Sequence, residues 1–453
     1  MIDQIANINL SFLKELIKDK NRSAKQMESL NNYLIENGCT WKGAAMPTLL
    51  KPNFITIEQS NIIQYYVNNI SVILKKMIDL YIKDNELKNF FNFSKIENEM
   101  FLVDPDYTMP LVVSRLDAFM NDKDLKFVEF NCDSPAGAAY ADILEKGFKN
   151  IIDNSSSLSK WNYIYDDRQL QLLNSLIESY NEFRTKHKYF PEKPNIAIVD
   201  WADVITSSEF EILKSYFKLK GYNTIITSPQ NFEIKNNSLI ADDIEIHLIY
   251  KRVIVRELIE KFDEVETFIH AIKEKFACTC NSFRTNIAGN KKILAALNDK
   301  RFQNILTKEE LKVIQKTIPW TSILYDKKVT LQGYTINLKE FVCDNKDKLV
   351  IKPAASYGGK DVYLGKETDQ LTWENLINSN IDSQNWVVQE YISIPEEFFP
   401  VIKDNNVFIE LKKVNINPFA FSGSYSGTIS RISDSSIINV SQGGGIVPSI
   451  SFS

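Results

Sequence analysis

The residues best suited to chemistry lie in one stretch, SRLDAFMNDKDLKFVEFNCDSPAG, at 114–137. VVSRLDAFM and LKFVEFN read as strands, with NDKD between them as a turn. Side chains alternate faces along a strand, so Arg115, Asp117 and Phe119 share one face, and Phe127, Glu129 and Asn131 share another. Register decides whether those faces coincide. A three-residue loop at Asp122-Lys123-Asp124 pairs Asn121 with Leu125. It sets Asp117 opposite Glu129 and Arg115 opposite Asn131, all four pointing one way. A two- or four-residue loop separates them, so the reading requires an odd loop or a bulge. Adjacent carboxylates repel unless a cation lies between them. Oxygen donors from Asp117, Glu129 and Asn131 suit a hard cation such as Mg2+, which fills its shell with phosphate oxygens and water. Arg115 cannot ligate a metal, but its planar fork suits a phosphate or a developing oxyanion. Taken alone, the same residues would also make a surface hairpin with an Arg–Asp ion pair.

Other elements offer contacts for a nucleotide. In LVIKPAASYGGKDVYLG (349–365), Lys352 sits on a strand before Gly358 and Gly359. An ammonium beside a loop whose backbone N–H groups can approach phosphates suits ATP; a plain turn with a solvated lysine is the alternative. In WVVQEYI (386–392), Gln389 and Glu390 follow three apolar residues. They read as a hinge whose backbone meets adenine and whose carboxylate holds ribose, or as the surfacing end of a buried strand. In GNKKILAALNDKRF (289–302), Lys291 or Lys292 at a helix start could reach a phosphate, or both could be solvated. GTISRIS carries Arg431 on a strand. INVSQGGGIVP places Gln442, Gly443 and Gly444 in a loop able to close over a ligand.

Something must position these groups. The first hundred residues read as helical: SFLKELIKDK, SAKQMESLNNYLIEN and QSNIIQYYVNNISVILKKMIDLYI have apolar residues three and four apart. WKGAAMPTLLKPNFIT between them reads as a loop. After PEKP at 191–194, NIAIVD reads as a buried strand. SSEFEILKSYFKLKG follows as a helix capped by Ser207 or Ser208 and closed by Gly221, and NTIIT as a second, parallel strand. FEIK-NN-SLIA reads as a hairpin and IEIHLIY as one further strand. Arg252 and Arg256 near its end are candidate anion binders or ordinary surface ion pairs. No G-x-G-x-x-G follows the first strand, which argues against a dinucleotide site there.

Composition narrows the chemistry. The chain has 453 residues, a net charge of −5 and 25% charged residues, so nothing in the balance favours a nucleic-acid partner. The N-terminus lacks the pattern of a signal peptide, and no apolar run is long enough for a membrane span. No membrane partner and a cytoplasmic location are expected. Five cysteines match no zinc spacing, and three scattered histidines make a triad or a His-based metal site improbable. Carboxylates, amides, Lys and Arg are left to act.

In that order, Arg115-Leu116-Asp117, Glu129-Phe130-Asn131, Asn290-Lys291 and Lys352-Pro353 resemble the circularly permuted ATP-grasp enzymes, typified by the synthetase domain of glutathionylspermidine synthases. Gln389-Glu390 and the SQGGG loop look like those of relatives. The resemblance implies an α/β or α+β fold, a circularly permuted ATP-grasp with a Rossmann-like subdomain at 190–285 and a helical region at 1–100. The hairpin at 101–150 would belong to the same core as the nucleotide-binding region at 286–453. It also implies an ATP- and Mg2+-dependent carboxylate–amine ligase acting through an acyl phosphate. Asp117, Glu129 and Asn131 would hold the metal. Lys291, Lys352, Gly358, Gly359, Gln389 and Glu390 would hold ATP, and Arg115 would be catalytic. Ser134, Arg431, Gln442, Gly443 and Gly444 would serve substrate or lid. The partners would be small-molecule acids and amines. Phosphorylation of a hydroxyl at the same site, or nucleotide binding without turnover, are the alternatives. Pro135–Tyr140 departs from the polar stretch that the glutathionylspermidine enzymes use near their thiol peptide, which removes the argument for glutathione.

Overall fold

In the computed structural model, residues 2–331, 334–356 and 358–453 are described. The N-terminal third is largely helical. Helix Ile57–Lys83 starts at a capping box in which the Thr56 hydroxyl meets the Gln59 N–H and the Gln59 side chain returns to Thr56. Ile63, Val67, Ile70, Leu74, Met77 and Tyr81 form its buried stripe, packed on the strand Ser424–Ser433. The segment expected as a loop ends instead in a strand, Asn53–Thr56, parallel to Gly445–Phe452. That pairing spans almost the whole chain, so no local pattern announces it. Among the described residues, no helix is long and apolar enough to cross a membrane.

The largest sheet runs Asn53–Thr56, Gly445–Phe452, Ser424–Ser433, Asn406–Phe421, Val113–Asn121 and Asp124–Asn131. Glu396–Lys403 pairs with Asn406–Phe421 beside that path. The hairpin carrying Arg115 and Glu129 is therefore built into a sheet with the C-terminal strands, and Asp124–Asn131 forms its edge. A second, antiparallel sheet runs Thr321–Ile323, Trp386–Glu390, Leu349–Pro353 and Tyr363–Leu364. It carries Lys352, Gln389 and Glu390.

The third sheet is parallel, in the order Cys278–Cys280, Leu248–Lys251, Ile196–Val199 and Thr224–Thr227. Its helix Ser207–Leu219 is not capped by a serine: Thr206 takes the cap position without a side-chain bond, and the Ser208 hydroxyl meets Tyr140 at 2.6 Å. Gly221, at φ +88°, closes the end, its N–H on the Lys218 carbonyl. IEIHLIY is two strands rather than one. Ile244–Glu245 completes a small antiparallel sheet, and Leu248–Lys251 joins the parallel one. The chain changes sheets where the N–H groups of His247 and Leu248 both donate to the Asn195 carbonyl at 3.1 Å.

Candidate functional site

The register of the 113–131 hairpin brings its polar groups together by an unexpected route. The loop has two residues, Asp122-Lys123, and Asn121 pairs with Asp124, not with Leu125. That turn alone would put the two sets on opposite faces. A bulge at Val128 restores them: Ala118 pairs with Phe127, but Asp117 pairs with Glu129 and Arg115 with Asn131. Arg115, Asp117, Glu129 and Asn131 all line one cavity of about 160 Å3 between the large sheet and the second sheet.

Across the cavity stand Lys352, Gly358, Gly359, Gln389 and Glu390, and beside Asp117 stands Arg431. Asp117 is the hub. Arg115 grips it in a fork, Nε to Oδ1 at 2.8 Å and Nη2 to Oδ2 at 3.3 Å, and Arg431 Nη1 donates to Oδ2 at 2.9 Å. Burial opposes its ionisation, but the two guanidiniums outweigh that and hold its carboxyl below the usual range. Arg115 is anchored further by Nη1 on the Ala136 carbonyl at 2.7 Å. Lys291 stands just outside the lining, its ammonium 3.3 Å from Glu129 and 2.5 Å from the Ser356 carbonyl. Lys292 points away, donating to the Phe91 carbonyl at 2.6 Å.

Lys352 is buried with neutral partners only. Its ammonium donates to the Val128 carbonyl at 2.9 Å and to Gln389 Oε1 at 2.8 Å. Burial first, and repulsion by Lys291 second, lower its pKa to about 7 against the pull of Glu129. Arg431 is lowered to about 10 by burial and by Arg115. When Lys352 is charged, the cluster sets four cations, Arg115, Arg431, Lys291 and Lys352, against the carboxylates of Asp117 and Glu129. Such a surplus in a cavity favours an anionic ligand over a cationic one.

The bulge and the lysine are coupled, because the carbonyl it turns outward is the one that receives Lys352. Gln389 is 2% exposed and clamped by Nε2 on Thr321 Oγ1 at 3.0 Å, so it aims Lys352. The backbone N–H groups of Glu390 and Tyr391 are committed to the Trp320 and Lys348 carbonyls. The apolar side chains of Ile392 and Ile394 line the cavity with Val350 and Leu364.

The two glycine-rich loops meet at the cavity. A Cβ on Gly359 would come within 2.5 Å of Ile437, so only glycine allows this approach. Gln442 and Gly443 lie exposed on that second loop and do not line the cavity. Gly444 is buried against the Asn439 and Ile432 carbonyls. Ser134 sits in a neighbouring cavity, its hydroxyl on the Arg252 carbonyl. Arg252 is itself buried, bonded to the Pro135 carbonyl and stacked on Phe210 and Tyr250, so it is a structural residue. Thr321 and Asn415 escape sequence reasoning. Asn415 faces Arg431 across the sheet, and its Oδ1 accepts from Asn417 at 2.9 Å. Their only signal is alternation beside Gln389 and Arg431.

Among the described residues, no group of three or more His, Cys, Asp or Glu is poised for a metal. A cation here would rest on Asp117, Glu129 and the Asn131 amide. The oxygen donors of two carboxylates and a carboxamide fit Mg2+, whereas the Asn131 Nδ2, buried without a partner among the described residues, is a hydrogen-bond donor and not a metal ligand.

No protein-family model matches the chain, and comparison with curated proteins finds no match either. Solved structures do match in fold. A glutathione synthetase-like effector from Globodera pallida, in its apo form, superposes with a TM-score of 0.63 at 11% identity, covering 95% of this chain and 97% of its own. A putative gamma-glutamylcysteine synthetase from Methylobacillus flagellatus KT gives a TM-score of 0.40 at 10% identity over 86% of each chain, too low to argue from. The chain shares its mixed α/β fold with the first of these.

Proposed function

We propose that the chain is an ATP-dependent carboxylate–amine ligase of the circularly permuted ATP-grasp kind, with Mg2+ as cofactor. The observation that carries the reading is the cavity in which Arg115, Arg431 and Lys352 surround Asp117 and Glu129, with Lys291 at its margin on Glu129. The chain order also supports it: the hairpin precedes the strand of Lys352 with the whole parallel sheet between them in the chain, yet both line one cavity. The domain division follows, with 101–150 and 286–453 as one core, 190–285 as the Rossmann-like unit and 1–100 as the helical region. The fold shared with a protein named for glutathione synthetase agrees with this class and names no substrate.

Lys352 and Lys291 would hold the phosphates, and Gly358 and Gly359 would let the backbone approach them. Asp117, Glu129 and Asn131 would hold Mg2+, which supplies charge neutralisation to the triphosphate. The substrate carboxylate oxygen attacks the γ-phosphorus, the bond to the β–γ bridging oxygen breaks, and ADP leaves with that electron pair. Arg115, held in orientation by Asp117 and the Ala136 carbonyl, stabilises the negative charge on the transferring group. The amine nitrogen then attacks the acyl carbon, the C–O bond to phosphate breaks, and the nitrogen loses a proton. No protein nucleophile is needed; positioning and charge do the work.

An ADP-release screen over acid–amine pairs, repeated with hydroxylamine as the amine, tests this reading. Hydroxamate formation dependent on acid and ATP is expected. ADP release driven by alcohols without hydroxamate would replace the ligase with a kinase.

A further inference from the structure

A cavity of about 480 Å3 lies on the other face of the large sheet, between the helix Ile2–Lys18, the hairpin turn at 120–122 and the start of the strand Glu396–Lys403. Alternation along two strands separates it from the Asp117 cavity. Val414 and Ile416 line it, whereas Asn415 between them lines the Asp117 cavity; Met120 lines it, whereas Phe119 lines the other. The strand Asn406–Phe421 opens it by changing partners. It pairs with Glu396–Lys403 up to Lys413 and with Val113–Asn121 from Ile416. In the gap the Val414 N–H turns to the Pro395 carbonyl at 2.8 Å. Asn121 Nδ2, on the Ser393 carbonyl at 3.0 Å, ties the two rims.

The helix Ile2–Lys18 carries two stripes. Ile8, Phe12 and Leu16 are buried in the core. Ile5, Ala6, Asn9, Leu10 and Leu13 line the cavity. Phe54, Ile55, Met120 and Phe398 add to its apolar wall. Leu10 and Phe398, at 52% and 51% exposure, make the mouth apolar too. A concave apolar wall with a few fixed polar groups is the usual make-up of a small-molecule site.

The charged groups of that wall, among the described residues, are all acidic: Asp122, Glu396 and Glu397. Glu397 is held by Asn9 Nδ2 at 3.0 Å and by the Phe398 N–H at 2.9 Å. The cations around the cavity are turned elsewhere. Lys51 is fully buried and not part of the wall. It donates to Asn9 Oδ1 at 2.8 Å, lies 4.3 Å from the centre of the Phe399 ring and stays 4.0 Å from Glu397. Lys123 pairs with Glu58. Lys413, opposite Glu396 on the neighbouring strand, donates to Ser436 at 2.5 Å.

We propose that this cavity binds a small cationic amphiphile, an apolar chain or ring bearing one ammonium group. The apolar body covers Leu10, Phe398 and the wall beneath them, and the ammonium meets the three carboxylates. An anionic amphiphile sets like charges together and is rejected for it. The occupant is not a reactant of the Asp117 cavity, from which the sheet divides it. The site stands whether or not the chain is a ligase.

Isothermal titration of the full chain with n-octylammonium and with octanoate tests the proposal. Octylammonium should bind saturably, one to one and at least tenfold more tightly than octanoate, with Mg-ATP present or absent. Leu10→Gln, at a half-exposed helix position that glutamine suits, should weaken it at least threefold. Asp122→Asn combined with Glu396→Gln keeps the apolar wall and should cut the tenfold preference to threefold or less. Asp122 has φ +53°, a conformation that asparagine accepts. Equal binding of octanoate, non-saturable uptake, competitive displacement by Mg-ATP, or wild-type behaviour in either folded variant overturns the proposal.

Discussion

The chain buries charge in two places, and they are opposites. Around Arg168, which is fully buried, Asp142, Glu145 and Asp166 bring three carboxylates to one guanidinium, at 2.9, 2.6 and 3.4 Å. Around Asp117 the surplus is cationic. The Arg168 cluster ties helices Ala138–Asp153 and Arg168–Lys186 to the Thr428 carbonyl and lines none of the cavities described above. The Asp117 cluster opens on a cavity. A buried cluster short of counter-charge can only take a proton, and burial, offset in part by Arg168, raises Glu145 to about 7. A cluster on a cavity can take a ligand. Both report missing charge, and the geometry says which one is a site.

Four outcomes would sharpen or break that contrast. The largest is in stability. Arg168→Met leaves buried carboxylates without a cation and should cost about 3–5 kcal/mol in urea unfolding. A loss near that of a surface residue would mean that the cluster is not structural. Arg115→Ala should lower kcat about 10²–10³-fold while ATP affinity holds, because Arg431 still pairs Asp117. Wild-type turnover would remove Arg115 from the chemistry.

Lys352→Met should weaken ATP by about 2 kcal/mol, close to thirtyfold. The wild type should also show a pH signature. Lys352 sits near 7 without ligand, and phosphates favour its charged form, so binding takes up a proton above pH 7. ATP affinity should fall as pH rises past 7, by up to about tenfold per unit, and calorimetry in buffers of different ionisation heat reads the proton directly. The Lys352→Met variant should show neither effect. The smallest outcome concerns Glu145. Its folded pKa lies above the unfolded value, so its contribution to stability is full at low pH and is lost as pH rises through about 7. Glu145→Gln should flatten the pH dependence of unfolding between pH 5 and 7, where the wild type changes by at most about 1.4 kcal/mol per unit.

The hairpin shows what a sequence makes legible. Alternation named Arg115, Asp117, Glu129 and Asn131 as a potential set and stated the condition for it. It could not choose between an odd loop and a bulge, and the Val128 carbonyl at the bulge finds its partner, the Lys352 ammonium, on another sheet. Gln389 was legible as a polar residue ending an apolar run. Its task of aiming Lys352 was not, because Thr321 and Lys352 reach it only through strand pairing. The helices at 57–83 and 207–219 follow from periodicity. The strand Asn53–Thr56 and the split of IEIHLIY do not, since both are set by partners distant in the chain. Arg168 carried no motif at all; ordinary spacing on an amphipathic helix hides a buried ion cluster.

The proposed function has Mg-ATP bound in the cavity between the Asp117 hairpin and Lys352. Isothermal titration of Mg-ATP into the wild type and Lys352→Met tests it most directly. Saturable one-to-one binding is expected, with proton uptake at pH 8 and a loss near thirtyfold in the variant. No binding by the folded wild type, or equal affinity in both proteins, would contradict it.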